Sequence, residues 1–394
     1  MIYRRFGKTD LPMPVLSAGA MRSMQSWSDL ELGKVEKGEQ RRLKDIIGTA
    51  LDKGINHIET ARAYGSSERQ LGQVLPCFSR GQYILQTKVA PEADPERFRE
   101  NVLDSLLRLG VERVDLLALH GVNNYRKLWY SCRPGGCLFQ ARKLQLEGKV
   151  GYVGFSGHGP VDVLLQAVSH AEDGGFDYIN LHWYTIFQHN NPVLAAATER
   201  DLGIFIISPS DKGGRLYSPP PIIEQFCYPL SPMQFNDMYC LQREGVHTIS
   251  VGAAAATDYD AHLDALEYIH DYERIRSIYS KWSERMENKC GVPRPDSHWD
   301  RFPPFEEIPG FMNISFILWL YNLAIGWDLM EYARARYAML GNGMEWVQGN
   351  NAANVSQHSL KKVAQRSGME EGDLMEKLFL AHGLLGQGKG CPGS

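Results

Sequence analysis

The chain has 394 residues, 43% of them hydrophobic, enough for a substantial core and too apolar for general disorder. Lys plus Arg total 42 against 46 Asp plus Glu, a formal net charge of −4, which argues against a nucleic-acid grip or a polybasic membrane contact. The length exceeds a usual single domain, but one α/β barrel of roughly 250 residues or more uses most of it.

Residues 1–7 show no apolar signal core, and the seven cysteines (77, 132, 137, 227, 240, 290 and 391) form no Cys-x-x-Cys pair. Together these predict reduced thiols in a cytoplasmic protein. Eight β-rich runs then follow, at 15–19, 56–58, 83–88, 114–120, 150–156, 178–183, 204–208 and 248–251. Helical patterns separate them, at 41–53, 67–75, 94–109, 139–147, 160–171, 192–201 and 259–274, with a weaker one at 232–243. Eight alternations with short connections predict an α/β fold, a closed (β/α)8 TIM barrel. An open doubly wound sheet is the runner-up. No Gly-x-Gly-x-x-Gly follows the first strand, so a Rossmann nucleotide site is not supported.

From about residue 280 the composition shifts toward Trp, Pro, Asn and Met, and strand signals vanish. The expected division is a barrel over 1–280 and a mainly helical C-terminal extension over 281–394. Helical patterns resume at 311–323, 329–340 and 373–382, and the Gly-rich tail 383–394 is expected to fray. The apolar stretch 311–327 is broken by Asn313, Ser315 and Asn322, and reads as a buried or amphipathic helix rather than a bilayer span.

The chemistry gathers at strand ends. The segment His57-Ile-Glu-Thr-Ala-Arg-Ala-Tyr64 sets an acid five residues before a tyrosine, and two further apolar runs end on Lys88 and His120. In a parallel barrel those ends share one face, where sites are built. A lysine beside a phenol favours its ionised form and brings a proton donor of pKa about 10 toward use near neutral pH. Each residue alone has an ordinary explanation: a half-buried tyrosine, a lysine neutralising a carboxylate, a satisfied core histidine. The ordered set does not.

Glu59, Tyr64, Lys88 and His120, in this order across eight βα units, resemble the aldo-keto reductases. The resemblance covers about residues 1–275. It extends to Gly148-Lys-Val-Gly-Tyr-Val-Gly-Phe-Ser-Gly-His158, similar to the fifth-strand motif, and to Lys212-Gly-Gly-Arg-Leu216, similar to the Gly-rich turn after strand seven. It implies hydride transfer between NADP (NAD remains open) and an aldehyde or ketone, with Tyr64 as general acid, Lys88 stabilising developing phenolate, Glu59 positioning Lys88, and His120 orienting the carbonyl. It also implies cofactor contacts from Gly19, Met21, Ser156, Asn180, Ser208, Ser210, Lys212, Gly252, Ala253 and Ala254, with no metal. The partner expected is a small-molecule carbonyl substrate, without nucleic acid or membrane. A catalytically weak nicotinamide-binding sensor or scaffold is the alternative.

Three positions depart from the family pattern. Glu59 stands where Asp is usual. Ser208 stands where many members place an aromatic that stacks on the nicotinamide. The run Gly252-Ala-Ala-Ala-Ala-Thr-Asp-Tyr-Asp260 carries no Lys or Arg for a 2′-phosphate. The C-terminal pieces Ile308-Pro-Gly310, Leu320-Tyr-Asn322 and Tyr332-Ala-Arg-Ala-Arg-Tyr337 resemble the tail of a subgroup with ferredoxin-like cysteine clusters. A [4Fe–4S] cluster normally takes four thiolates, and beyond residue 280 this chain has only Cys290 and Cys391. No iron–sulfur cluster is therefore expected, and the extension reads as degenerate ferredoxin-like.

Overall fold

Runs of Val, Ile and Leu that are apolar at nearly every position suit strands covered on both faces. The computed structural model describes residues 1–343 and 347–386, so part of the Gly-rich tail and Cys391 lie outside the described residues. A short antiparallel hairpin, β1 (Tyr3–Arg5) and β2 (Pro12–Pro14), precedes eight strands. These are β3 (Leu16–Gly19), β4 (His57–Glu59), β5 (Ile84–Val89), β6 (Val114–Leu119), β7 (Val150–Gly157), β8 (Tyr178–Leu181), β9 (Gly203–Ile206) and β10 (Thr248–Val251). They pair in parallel, each with its chain neighbour, and β10 closes on β3. The fold is a (β/α)8 TIM barrel, with a helical C-terminal extension.

Local signals set the helix limits. In the helix Pro95–Leu109, Asp94 accepts from the Glu96 amide at 3.0 Å, and Gly110 ends the helix at φ +64°. The helix expected over 259–274 divides in two. Asp258–Ala265 ends through a short 3-10 turn, and Asp271 caps a new helix, Tyr272–Cys290, by accepting from the Arg274 amide at 3.1 Å.

The hairpin plugs the N-terminal end of the barrel. Phe6 is fully buried, 5.7 Å from the Tyr178 ring and 5.6 Å from that of His247. A Cβ on Gly203 would stand 2.7 Å from the Phe6 ring, so this strand start stays bare to admit the plug. Met13, Leu116, Ala118 and Phe205 complete that core.

The chain forms two compact units. The first holds the barrel: Met1–Trp183, Asn190–Pro209 and Asn236–His270. The second comprises Tyr184–His189, Ser210–Phe235 and the described residues of Asp271–Ser394. Its core is aromatic. Trp282 and Trp327 meet edge to face at 4.8 Å, and the Trp327 indole donates to the Trp282 carbonyl at 2.8 Å. The helix Ile314–Trp327 opens on Asn313, which accepts from the Phe316 amide, and closes on Asp328 at φ +56°. At 14 residues it spans about 21 Å, short of a bilayer core. Among the described residues no helix is long and apolar enough to cross a membrane.

Candidate active site

Four chemically distinct side chains meet at the C-terminal ends of β4, β5 and β6. Glu59 is the last residue of β4, and Lys88 is the fifth of the six residues of β5. Their side chains form an ion pair, with Lys88 1% and Glu59 3% exposed. The Lys88 ammonium also donates to the Thr60 carbonyl at 3.1 Å. It lies 4.8 Å from the centroid of the Tyr64 ring. His120, just past β6, stands edge-on to the same ring at 5.9 Å. Tyr64 occupies the turn between β4 and the helix Ser67–Val74, where its amide donates to the Ala61 carbonyl at 3.0 Å.

The electrostatics differ from the expectation in one respect. Lysine was expected to draw the phenol toward ionisation. Instead burial pushes the Tyr64 phenol up, and the nearby Lys88 charge is itself paired with Glu59. Beneath the pair, His57 is fully buried, and burial followed by the Lys88 charge pulls its imidazole down to about 3. Its Nδ1 hydrogen-bonds the Ser17 hydroxyl at 2.7 Å. His57 is therefore a neutral member of the barrel interior.

The extra methylene of Glu59 is accommodated beside a bare position. A Cβ on Gly19, at the end of β3, would lie 2.6 Å from the Ser250 hydroxyl and 3.5 Å from Glu59 Oε2. Met21 follows on the same rim and is half-buried. Ser156 and Asn180 are register partners on β7 and β8. Ser156 accepts from the Gly121 amide at 3.2 Å, while Asn180 is fully buried and neither of its amide atoms is hydrogen-bonded among the described residues. A buried amide with donor and acceptor both unused fits a ligand that carries the complementary pair, as a nicotinamide carboxamide does.

The other expected cofactor residues divide between the units. Ser208 is half-buried at φ +54° in the first unit. Ser210 and Lys212 belong to the second. There the Lys212 carbonyl accepts from the Tyr332 hydroxyl at 2.7 Å, and burial, then the Arg336 charge, draws the Lys212 ammonium down to about 7, with Asp211 opposing. Gly252, Ala253 and Ala254 follow β10, and the Ala254 amide donates to Asp258 at 2.8 Å.

Arg22, Arg42 and His182 at this rim carried no expectation from the sequence. Arg22 donates to the Gly252 carbonyl at 3.2 Å and Arg42 to the Ala254 carbonyl at 2.8 Å, bringing cations to a loop that has none of its own. His158 and His182, two positions beyond Ser156 and Asn180, face each other with ring nitrogens 3.2 Å apart. The spacing 156/158 and 180/182 carries that signal, since alternate residues share a face. Trp27 stands edge-on to Tyr64 at 6.5 Å.

The family model described as Aldo/keto reductase family matches residues 15–218, more than half of the chain. The chain belongs to this family. An L-galactose dehydrogenase from Arabidopsis thaliana is 29% identical over 137 residues, 32% of this chain and 41% of the relative, so the match spans about two fifths of that protein. An aldo-keto reductase from Bacillus halodurans, solved in its holo form, aligns with TM-score 0.57 and 21% identity over 71% of this chain and 96% of its own. One from Klebsiella pneumoniae, in complex with NADP and acetate, aligns with TM-score 0.56 and 19% identity over 70% and 94%. At such identities the likeness carries the barrel fold alone, while family membership makes the chain an oxidoreductase by class.

Proposed function

We propose that the chain reduces an aldehyde or ketone, using NADPH or NADH, with Tyr64 as general acid. The observation that carries this is the cluster of Tyr64, His120 and the buried Lys88–Glu59 pair at one strand-end face. Asn180 and Ser156 would hold the nicotinamide end. The bound dinucleotide supplies the hydride. The carbonyl oxygen then gains negative charge and needs a proton. The Tyr64 phenol, kept protonated by burial, delivers it from its hydroxyl. Lys88 stabilises the phenolate left behind, Glu59 holds the ammonium in place, and His120 donates to the carbonyl oxygen. Solvent returns a proton to Tyr64. A metal ligand set has no part in this reading, and among the described residues no group of three or more His, Cys, Asp or Glu is arranged to hold an ion.

The further parts of the proposal are an extension that kept its packing role without a cluster, and a reducing, cytoplasmic setting. Six free cysteines among the described residues support the latter. The test is dinucleotide oxidation with a panel of aldehydes and quinones. Turnover abolished by Tyr64→Phe supports the reductase. Dinucleotide binding without turnover on any substrate favours the sensor.

A further inference from the structure

The second unit holds a cavity of its own, about 430 Å³, with Phe311, Asn350, Asn351, Asn354 and His358 in its wall. That volume lies within the range of small-molecule pockets, about 300–1,000 Å³. Two stretches build most of it, residues 310–312 and 350–358, and they run side by side. The Asn350 amide donates to the Phe311 carbonyl at 2.7 Å, and the Asn313 amide to the Asn350 carbonyl at 3.0 Å. Among the described residues no Asp, Glu, Lys or Arg lines the cavity.

Its wall offers both halves of a hydrogen bond. Asn350 Nδ2 donates to the Gly310 carbonyl at 2.9 Å, which leaves Oδ1 as an acceptor. Asn351 Oδ1 accepts from the Ala353 amide at 3.0 Å, which leaves Nδ2 as a donor. Asn354 precedes the 3-10 turn Val355–Gln357 without capping it through its side chain, so its amide keeps both. Beside these amides stands Phe311, at φ +54° and 58% exposed. A bulky side chain seldom occupies left-handed backbone, and does so where the surroundings over-determine it. Here the Phe311 amide donates to the Ile308 carbonyl at 2.8 Å, while its own carbonyl is taken by Asn350. The ring is thereby held at the cavity instead of in a core. A Cβ on Gly310 would lie 2.7 Å from His358 Nε2, so the imidazole leans on bare backbone.

We infer that this cavity binds a neutral saccharide, with one face of a sugar ring on Phe311 and its hydroxyls on the three asparagines. A hydroxyl both donates and accepts, as the amides require. The C–H face of a sugar ring is apolar and suits a phenyl ring. A phosphate or carboxylate would find no counter-charge in the wall. The inference does not depend on the reductase reading of the barrel.

The experiment is saturation-transfer NMR of the full chain with the methyl glycosides of glucose, galactose, mannose and xylose. A methyl glycoside has no free carbonyl, so it is not consumed by a carbonyl reductase. At least one should bind, with saturation strongest on the protons of one ring face. Phe311→Ala and Asn354→Ala should each weaken that binding about tenfold. Asn354 is exposed, so its variant keeps the test decisive where Phe311→Ala disturbs the loop. Binding of none of the glycosides overturns the inference. Binding that neither variant weakens also overturns it, because the sugar then sits elsewhere. Tighter binding of adenosine or of glucose 6-phosphate than of any glycoside overturns the ligand class.

Discussion

Replacing Lys88 by Met tests the centre of the site, because the charge it removes has almost no contact with solvent. Lys88 is 1% exposed and Glu59 3%. Methionine keeps length and apolar volume, so the change chiefly strands the Glu59 carboxylate. Breaking a buried ion pair from one side costs about 3–5 kcal/mol, against at most about 1 kcal/mol for an exposed pair. The Lys88→Met chain should therefore unfold at markedly lower urea, with a deficit near 3–5 kcal/mol at neutral pH. That deficit should shrink in acid, where an orphaned carboxylate takes up a proton. The double variant Glu59→Leu, Lys88→Met removes both charges and should recover most of the stability. Its catalytic step should stay about 100- to 10,000-fold down, because proton delivery from Tyr64 lacks its electrostatic partner. Two assays read this: urea unfolding of the single and double variants, and single-turnover dinucleotide oxidation. If Lys88→Met costs less than about 1 kcal/mol, the pair is not the buried unit described. If stability falls while the hydride-transfer rate is unchanged, Lys88 is structural only.

Tyr64→Phe should lower turnover about 100- to 10,000-fold while leaving dinucleotide affinity within about threefold, read by steady-state kinetics beside a fluorescence titration. Since burial holds the phenol protonated above its ordinary value near 10, the reductive rate should stay flat from neutral to mildly alkaline pH; a fall centred below pH 8 would contradict that direction. His57 titrates near 3 when folded and near 6.5 when unfolded, so its cost is absent above 6.5 and grows as pH falls toward 3. At pH 5 it should reach about 2 kcal/mol, and His57→Gln should flatten the acid limb of the stability curve. Asn180→Ala should weaken dinucleotide binding about tenfold with little loss of stability, since its amide makes no internal hydrogen bond. Iron and sulfide assayed after anaerobic purification should both fall well below one cluster per chain.

What was readable in the sequence follows from how far each signal travels. All eight barrel strands were foreseen within a few residues, most of them because a strand buried on both faces announces itself as a local apolar run. The hairpin β1–β2 escaped, since three residues per strand hold too little pattern to register. The short helices Tyr125–Cys132 and Pro221–Cys227 escaped for the same reason. The break before Asp271 was missed because a cap is one residue set against a long periodic stretch. The site divides along the same line. Glu59, Tyr64, Lys88 and His120 sit within a residue or a turn of strand ends, so knowing the strands located them. Arg42 reaches Ala254 across 212 residues, and Arg22 reaches Gly252 across 230. Nothing in the spacing around either arginine encodes that meeting, which exists only because β10 closes on β3. Reading loop 252–257 by itself found no cation. Closure of the barrel supplies two from the other end of the chain, and pairs one of them with Glu39. The charge around loop 252–257 is thus a property of closure, whereas the order of Glu59, Tyr64, Lys88 and His120 is a property of local sequence.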